Sequence, residues 1–450
     1  MRARTCLPAL VLALLPACVG APMQAPPPAP PSCVAPLPVP VATAEAPQRY
    51  AAGRPVPAFA DPDRKAKLTA AAPSLDEHFA AYAARMRVPG MAVGLVVDGD
   101  LVWSKGYGVK DVTTKEPVDA DTLFRLASVT KSFTATAVLQ LRDAGKLSLD
   151  DPAEKYLPEL AGIVYPTRDS PRVTVRNLLS HTAGLPHDVP PSPPHVPGGE
   201  TAGDAAILQR LRGLVLSEPP GSVYAYSNLG FQLAGMIVAR VAGTTYEEYL
   251  AAHVLRPLGM PSTGFEPPPA RLASGYLRRG EGVEHPPMIQ LGPFPAGGLF
   301  SSVRDMARYA SFELSAWPPR DDGDTGPLRR SSVREAQQMA AWMGLHVPRR
   351  GRGAAVVAIA DGYGFGWVAE QTCEFDQVVW HNGALTDGYR SMVMLLPERG
   401  VALIVLANLF DEHMDLEDAV RAAAHLLDDS GALAARVRAT THAEEGTRCP

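Results

Sequence analysis

Apolar and polar positions along this chain change rhythm several times, and each change marks a boundary. The first apolar run, Leu7 to Leu15, follows Arg2 and Arg4. It has the shape of an export signal and falls short of the roughly 20 residues that span a bilayer. Residues 19–60 show no periodic spacing and are rich in Pro and Ala, including Pro26-Pro27-Pro28, which predicts an extended tether. Ser74 to Arg87 carries apolar residues at helical spacing, with Ser74 as a candidate N-cap. Met91 to Val97 and Leu101 to Gly106 are β-rich runs joined by Asp98-Gly99-Asp100, a hairpin signal. Helical spacing dominates from about 128 to 260. Ser132 to Ala144 reads as a long amphipathic helix ended by Gly145. Strand-like runs return at Gly364–Glu370, Gln377–His381, Arg390–Leu396 and Val401–Ala407, and a helix is expected over Asp415–Leu427. Residues 187–200 and 315–352 read as loops or insertions.

Strands therefore lie at both ends of the fold with helices between them. The late strands follow one another through short connections, which favours antiparallel pairing. The expected class is α+β: an antiparallel sheet flanked by helices, with an inserted, mostly helical lobe. The expected organisation is a signal over 1–18, a linker over 19–64, one folded domain over 65–430 and a poorly ordered tail over 431–450.

Composition refines this picture in three ways. The chain has 450 residues, 46% hydrophobic and 20% charged, enough to bury a large core. A net charge of -5 with no basic stripe argues against nucleic acid as partner and against electrostatic membrane docking. Leu15-Pro16-Ala17-Cys18 resembles a bacterial lipoprotein cleavage site, in which Cys18 would carry a lipid and tether the protein to a membrane. Ordinary cleavage a few residues later is the alternative. Both readings place the protein outside the cytoplasm, in the periplasm or cell envelope or secreted. A Cys373–Cys449 disulfide is one pairing open to the remaining cysteines, and spacing does not decide it. No cysteine and histidine spacing matches a zinc site, so no metal is expected.

Three short segments carry chemistry. In Ser128-Val129-Thr130-Lys131 the helical spacing puts Lys131 over the Ser128 hydroxyl, and the helix N-terminus favours a developing alkoxide. A serine hydroxyl needs a base, and lysine serves as one only when burial lowers its pKa. A Ser three residues before a Lys arises by chance about once or twice in such a chain. The apolar residues around it, Leu123-Phe124 and Leu126-Ala127, make a purely solvated lysine less natural. In Tyr226-Ser227-Asn228 the tyrosine can relay a proton, and Asn228 can bond a substrate amide and a lysine. The bland alternative is a turn with an aromatic plug. In His381-Asn382-Gly383-Ala384, Gly383 permits close approach of substrate, and the Ala384 N–H with that of Ser128 can form an oxyanion hole. The bland alternative is a strand end with a satisfied histidine.

Taken in order, these segments resemble the penicillin-recognising serine hydrolases, and within them the branch holding class C β-lactamases, D-alanyl-D-alanine carboxypeptidases and related esterases. Further pieces of the resemblance are Phe124-Arg125-Leu126-Ala127 before the serine, Ser180-His181-Thr182-Ala183-Gly184-Leu185-Pro186, Pro257-Leu258-Gly259-Met260, Ala296-Gly297-Gly298-Leu299 and Gly362-Tyr363-Gly364-Phe365-Gly366-Trp367. It covers roughly residues 70–430 and implies a β-lactamase/transpeptidase-like fold. It also implies Ser128 as nucleophile, Lys131 as base, Tyr226 as relay and Asn228 as a contact to substrate and Lys131. His381 stands where class C β-lactamases have the lysine of a Lys-Thr-Gly triad. A neutral histidine is a poorer carboxylate partner than an ammonium. His181 falls at a turn and takes a structural role by its place in the order. Arg390 is either a carboxylate binder or, more ordinarily, a sheet-packing residue.

The expected function is an exported serine hydrolase that forms an acyl-enzyme on an ester, a D-amino-acid peptide or a β-lactam, with ester or D-alanyl peptide preferred and β-lactamase as the alternative. Its partner would be a small molecule or peptide, including peptidoglycan-derived ones, and no cofactor is required. The rival from another class is a catalytically inactive envelope binding protein on the same scaffold. Nucleophile, base and relay are all present, which favours the enzyme.

Overall fold

The computed structural model describes residues 58–59, 61–188, 203–346 and 358–434. Eight strands form one sheet: β1 (Gly90–Val97), β2 (Asp100–Gly108), β3 (Ala341–His346), β4 (Ile359–Tyr363), β5 (Val368–Thr372), β6 (Asp376–Leu385), β7 (Tyr389–Leu396) and β8 (Val401–Ala407). Their spatial order is β2-β1-β8-β7-β6-β5-β4-β3, with antiparallel pairing throughout. The first hairpin is thus joined to the last strand, Met91 opposite Ala407 and Val97 opposite Val401. Asp98 and Gly99 close that hairpin at φ 51° and 88°, the left-handed pair that matches strand twist.

Six helices matter for the site: α1 (Arg64–Ala70), α2 (Ala72–Arg85), α3 (Thr130–Asp143), α4 (Asn228–Ala242), α5 (Val303–Leu314) and α6 (Leu416–Asp429). The sheet is covered on both faces, so every residue of β1 and β8 is buried. Alternation sorts the side chains. Met91, Val93, Met392, Met394, Leu403 and Val405 meet Leu68, Phe79, Val420 and Leu427 of α1, α2 and α6. Ala92, Val393, Leu395 and Ile404 face the other way, toward Phe133 of α3, Val303 and Met306 of α5 and the helical lobe. Each such Val, Leu, Ile, Met or Phe side chain stabilises the fold by about 1.5–3 kcal/mol. The lobe, with α4 at its centre, lies between β2 and β3 in sequence, as expected.

Several local expectations are corrected. Ser74 lies inside α2, and the residue at the N-cap is Ala71, without a side-chain cap bond. α3 is not amphipathic: Thr130 to Leu139 are all buried. Its hydroxyls turn inward because each finds an acceptor. Ser132 donates to Val129 O at 2.8 Å and Thr134 to Pro295 O at 2.7 Å. Gly364–Trp367 is a bend, and the strand begins at Val368. Gly366 has φ 75°, and a Cβ there would lie 2.7 Å from Lys131 O, so the bend rests on α3. Within 315–352 the structure has a helix, Arg330–Ala336, and the edge strand β3. β3 exposes Trp342 (59%) and Leu345 (68%), so it carries no buried alternation to read.

Residues 1–57, 60, 189–202, 347–357 and 435–450 fall outside this description, and with them the signal, Cys18, Cys449 and most of the tether and tail. Cys373 is disulfide-bonded. Among the described residues no helix is long and apolar enough to cross a membrane, and no group of three or more His, Cys, Asp or Glu could hold a metal ion.

One buried acid links α5 to this frame. The Glu313 carboxyl accepts from Gln337 Nε2 at 2.7 Å, and Gln337 Oε1 accepts from Trp317 Nε1 at 2.7 Å. Burial raises the Glu313 pKa from 4.5 to about 7. Between those values the folded chain keeps a proton that the unfolded chain releases. Its stabilising contribution is therefore present below the lower value and is lost as pH rises through the upper one, about 3 kcal/mol in all. Thermal unfolding at about pH 5 and about pH 8 should show wild type losing more stability across that range than Glu313→Gln. Equal losses would show that this carboxyl does not titrate as described.

Candidate active site

Ser128 lies in the three-ten turn Ala127–Val129 that leads into α3. Ala127 has φ 49°, a left-handed conformation that costs a non-glycine residue about 1–2 kcal/mol. The turn is clamped on both sides. Leu126 N–H donates to Leu299 O at 2.8 Å, and Leu126 O accepts from Ser391 Oγ of β7 at 2.6 Å.

Lys131, one turn on, has no exposed surface. Its Nζ lies 3.1 Å from Ser128 Oγ, 2.8 Å from Asn228 Oδ1 and 2.7 Å from Ala296 O. Burial holds its pKa well below the usual 10.5, opposed by the charge of Asp188. A neutral amine has two hydrogens and one lone pair. The two carbonyl oxygens can only accept, so they take the hydrogens and leave the lone pair facing the Ser128 hydroxyl.

Asn228 is the first residue of α4, whose N-cap Ser227 accepts from Gly230 N–H at 3.1 Å. The Asn228 side chain bridges two groups, accepting from Lys131 and donating through Nδ2 to Asp188 Oδ1 at 3.3 Å. The Tyr226 ring lies 4.7 Å from Lys131 Nζ, and the nearby Ser128 hydroxyl partly offsets the effect of burial on its phenol. Burial raises the Tyr226 pKa, so its hydroxyl keeps its proton at neutral pH.

His381 and Gly383 point to the same side of β6. The His381 ring is 6.5 Å from that of Tyr226. Its Nδ1 lies 2.6 Å from Asn382 O and its Nε2 3.0 Å from the Tyr363 hydroxyl. Burial lowers its pKa to about 3, so the ring is neutral. Gly383 sits against the nucleophile turn: a Cβ would be 2.2 Å from Leu126 O and 2.4 Å from Ser391 Oγ. Ala384 follows, exposed, paired with Arg390 across the strands. Arg390 thus points to the face away from Gly383. It donates to Asp411 O at 2.9 Å and stacks on Phe410, the sheet-packing alternative.

The structure therefore gathers Ser128, Lys131, Tyr226, Asn228 and Gly383 around one point, with His381 beside Tyr226 and Ala384 next along β6 from Gly383. Three further contributors were not singled out in the sequence. Ala296 O and Tyr363 lie inside quoted motifs, which was their only signal. Asp188 follows the Gly184-Leu185-Pro186 turn with nothing to mark it. His181 keeps its structural role, accepting from Ser227 N–H at 3.0 Å, but its ring also packs 4.3 Å from that of Tyr226.

A buried lysine over a serine at the head of a central helix, beside an antiparallel sheet closed by terminal helices, defines the β-lactamase/transpeptidase-like class of fold. The chain belongs to the Beta-lactamase family, whose sequence model matches residues 75–428. It is 27% identical over 332 residues to Protein flp of Staphylococcus aureus, covering 73% of this chain and 61% of that protein. It is 36% identical over 246 residues to Beta-lactamase-like protein 2 of Dictyostelium discoideum, covering 53% and 44%. The chain thus spans less than two thirds of the length of either relative. Among solved structures it resembles the octameric penicillin-binding protein homologue from Pyrococcus abyssi, with TM-score 0.63 and 27% identity, covering 79% of this chain and 77% of that one. The fold also matches a β-lactamase from a Sulfitobacter species, with TM-score 0.62 and 22% identity, covering 81% and 98%.

The contact at Gly383 is open to test. Gly383→Ala forces the Ser128 turn away from β6, and a displacement near 1 Å costs on the order of a hundredfold in rate. Fluorophosphonate labelling of Ser128 should slow by about that factor while the melting transition stays cooperative. An unchanged labelling rate would show that the turn does not depend on this approach.

Proposed function

We propose that this chain is an exported serine hydrolase acting through a covalent acyl-enzyme on Ser128, with an ester or D-alanyl peptide as its preferred substrate over a β-lactam. The observation that carries this reading is the buried Lys131 amine, whose two carbonyl partners leave its lone pair for the Ser128 hydroxyl. Lys131 takes the Ser128 proton as Oγ attacks the substrate carbonyl. The N–H groups of Ser128 and Ala384 receive the oxyanion. Tyr226, still protonated, gives its proton to the leaving group and recovers one through Lys131. Water then attacks the acyl-enzyme by the reverse path. Asn228 and His381 line the substrate side.

A neutral His381 supports placing an uncharged ester ahead of a β-lactam, since it offers no charge to the carboxylate that penicillins carry. The family membership and the penicillin-binding homologue among the similar structures support the acyl-transfer class. The apolar run near the N-terminus and the disulfide at Cys373 support a location in the cell envelope. There the substrate would be a small ester or a peptide, including those derived from peptidoglycan.

Side-by-side labelling with a fluorophosphonate and a fluorescent penicillin tests the reading. Wild type should take the fluorophosphonate readily and the penicillin slowly, and Ser128→Ala neither. An adduct that persists in Ser128→Ala would remove Ser128 as nucleophile. Lys131→Met should lower ester turnover by about a thousandfold or more. The base is the neutral amine, so kcat/KM should rise with pH through the lowered Lys131 pKa and level off below 10.5. A limb that keeps rising past that value would mean that Lys131 is not the base.

A further inference from the structure

Tyr226 is held by a residue that the mechanism above does not use. The short helix Val175–Leu179 ends at Ser180, and Thr182 N–H donates back to Asn177 O at 3.0 Å, which is a Schellman closure. His181 therefore stands where such a turn ordinarily has glycine, and its φ is 57°. A histidine there carries a backbone cost that glycine avoids, and strain of this kind is kept where the surroundings fix it, as at functional sites. The polar contacts of His181 bracket Tyr226. Its carbonyl oxygen accepts from Ala225 N–H at 2.8 Å, and its Nδ1 accepts from Ser227 N–H at 3.0 Å. Both chain neighbours of Tyr226 are thus tied to one residue. The His181 ring also packs 4.3 Å from the Tyr226 ring and 4.5 Å from that of Tyr363, whose hydroxyl lies 3.0 Å from His381 Nε2. Phe231 of α4 adds a further ring at 5.1 Å. His181 is 1% exposed, whereas Tyr226 is half-buried. Burial holds the His181 pKa well below 6.5, so Nδ1 keeps its lone pair for Ser227 N–H.

Resting on the hydrolase reading above, we infer that His181 is a positioning residue that aims the Tyr226 phenol at the leaving group. It fixes the backbone on both sides of Tyr226 and backs the ring, so the hydroxyl has little freedom to swing away from Ser128. The step it serves is breakdown of the tetrahedral intermediate. The bond from the carbonyl carbon to the leaving oxygen breaks, and the Tyr226 proton passes to that oxygen. Lys131, which took the Ser128 proton, returns a proton to Tyr226. An alkoxide needs that proton to depart, whereas a nitrophenolate leaves without one. A histidine that only shaped the fold would slow both alike, by disturbing Ser128 or by lowering the folded fraction. The two roles differ in how far the loss depends on the leaving group.

Ethyl butyrate and nitrophenyl butyrate share one acyl group and test the inference, read as kcat/KM, which covers the steps through departure of the leaving group. His181→Asn suits the left-handed backbone and retains an acceptor for Ser227 N–H, but deletes the ring behind Tyr226. It should lose about a hundredfold on the ethyl ester and less than about fivefold on the nitrophenyl ester. Tyr226→Phe should show the same imbalance, and the double variant should fall no further than Tyr226→Phe alone. Should His181→Asn lack a cooperative melting transition, His181→Gln, which fills more of the space of the ring, should show an imbalance of at least about tenfold. Equal losses on both esters, or losses that multiply in the double variant, would overturn the inference. Turnover of the nitrophenyl ester by Ser128→Ala at the wild-type rate would instead overturn the hydrolase reading itself.

Discussion

The structure depends on one amine kept out of water. Lys131 sits in the middle of the molecule with no exposed surface, and an ammonium there without partners would be very costly. Its partners are two carbonyl oxygens and one hydroxyl, and burial favours its neutral form, whose lone pair is then left to the hydroxyl. Those three partners come from three places in the sequence, residues 128, 228 and 296. Holding them requires α3 to be buried all round, α4 to begin at Asn228, and the Ala296 segment to lie against both. The architecture around α3 can be understood as the means of satisfying that amine while keeping solvent away.

The second constraint is the approach of the sheet to the nucleophile turn. Gly383 of β6 and Ser391 of β7 face each other and both touch Leu126, one by leaving room and the other by a hydrogen bond. This tie helps to hold Ala127 in its left-handed conformation beside Ser128. A polar substitution at a fully packed position such as Val393 would therefore reach the site through the sheet, without touching substrate.

Much of this was legible in the chain. The hairpin Asp98-Gly99-Asp100, the late run of strands and the inserted helices follow from spacing and turn chemistry, and the antiparallel α+β arrangement follows from their order. The trio Ser128, Lys131 and Tyr226 could be read because each lies in a short motif and the motifs come in order. What escaped has a physical explanation. α3 reads as amphipathic because its hydroxyls and lysine look like a wet face, whereas each is satisfied inside. β3 is an edge strand with exposed Trp342 and Leu345, so burial leaves no pattern. Ala296 contributes a backbone carbonyl, which no residue type announces. Tyr363 and Asp188 matter through what they touch, and contacts across the fold are not written in local spacing.

The pairing of β1 with β8 sets the timetable of folding. The hairpin of residues 90–108 has one ready partner in itself, but its other edge waits for residues 401–407 at the far end of the domain. Contacts of such long sequence separation form slowly. During synthesis β1, apolar on both faces, stays unpaired on one side until nearly the whole domain has emerged, and an open apolar edge invites aggregation. Such a chain gains from being kept extended until its last strand is available.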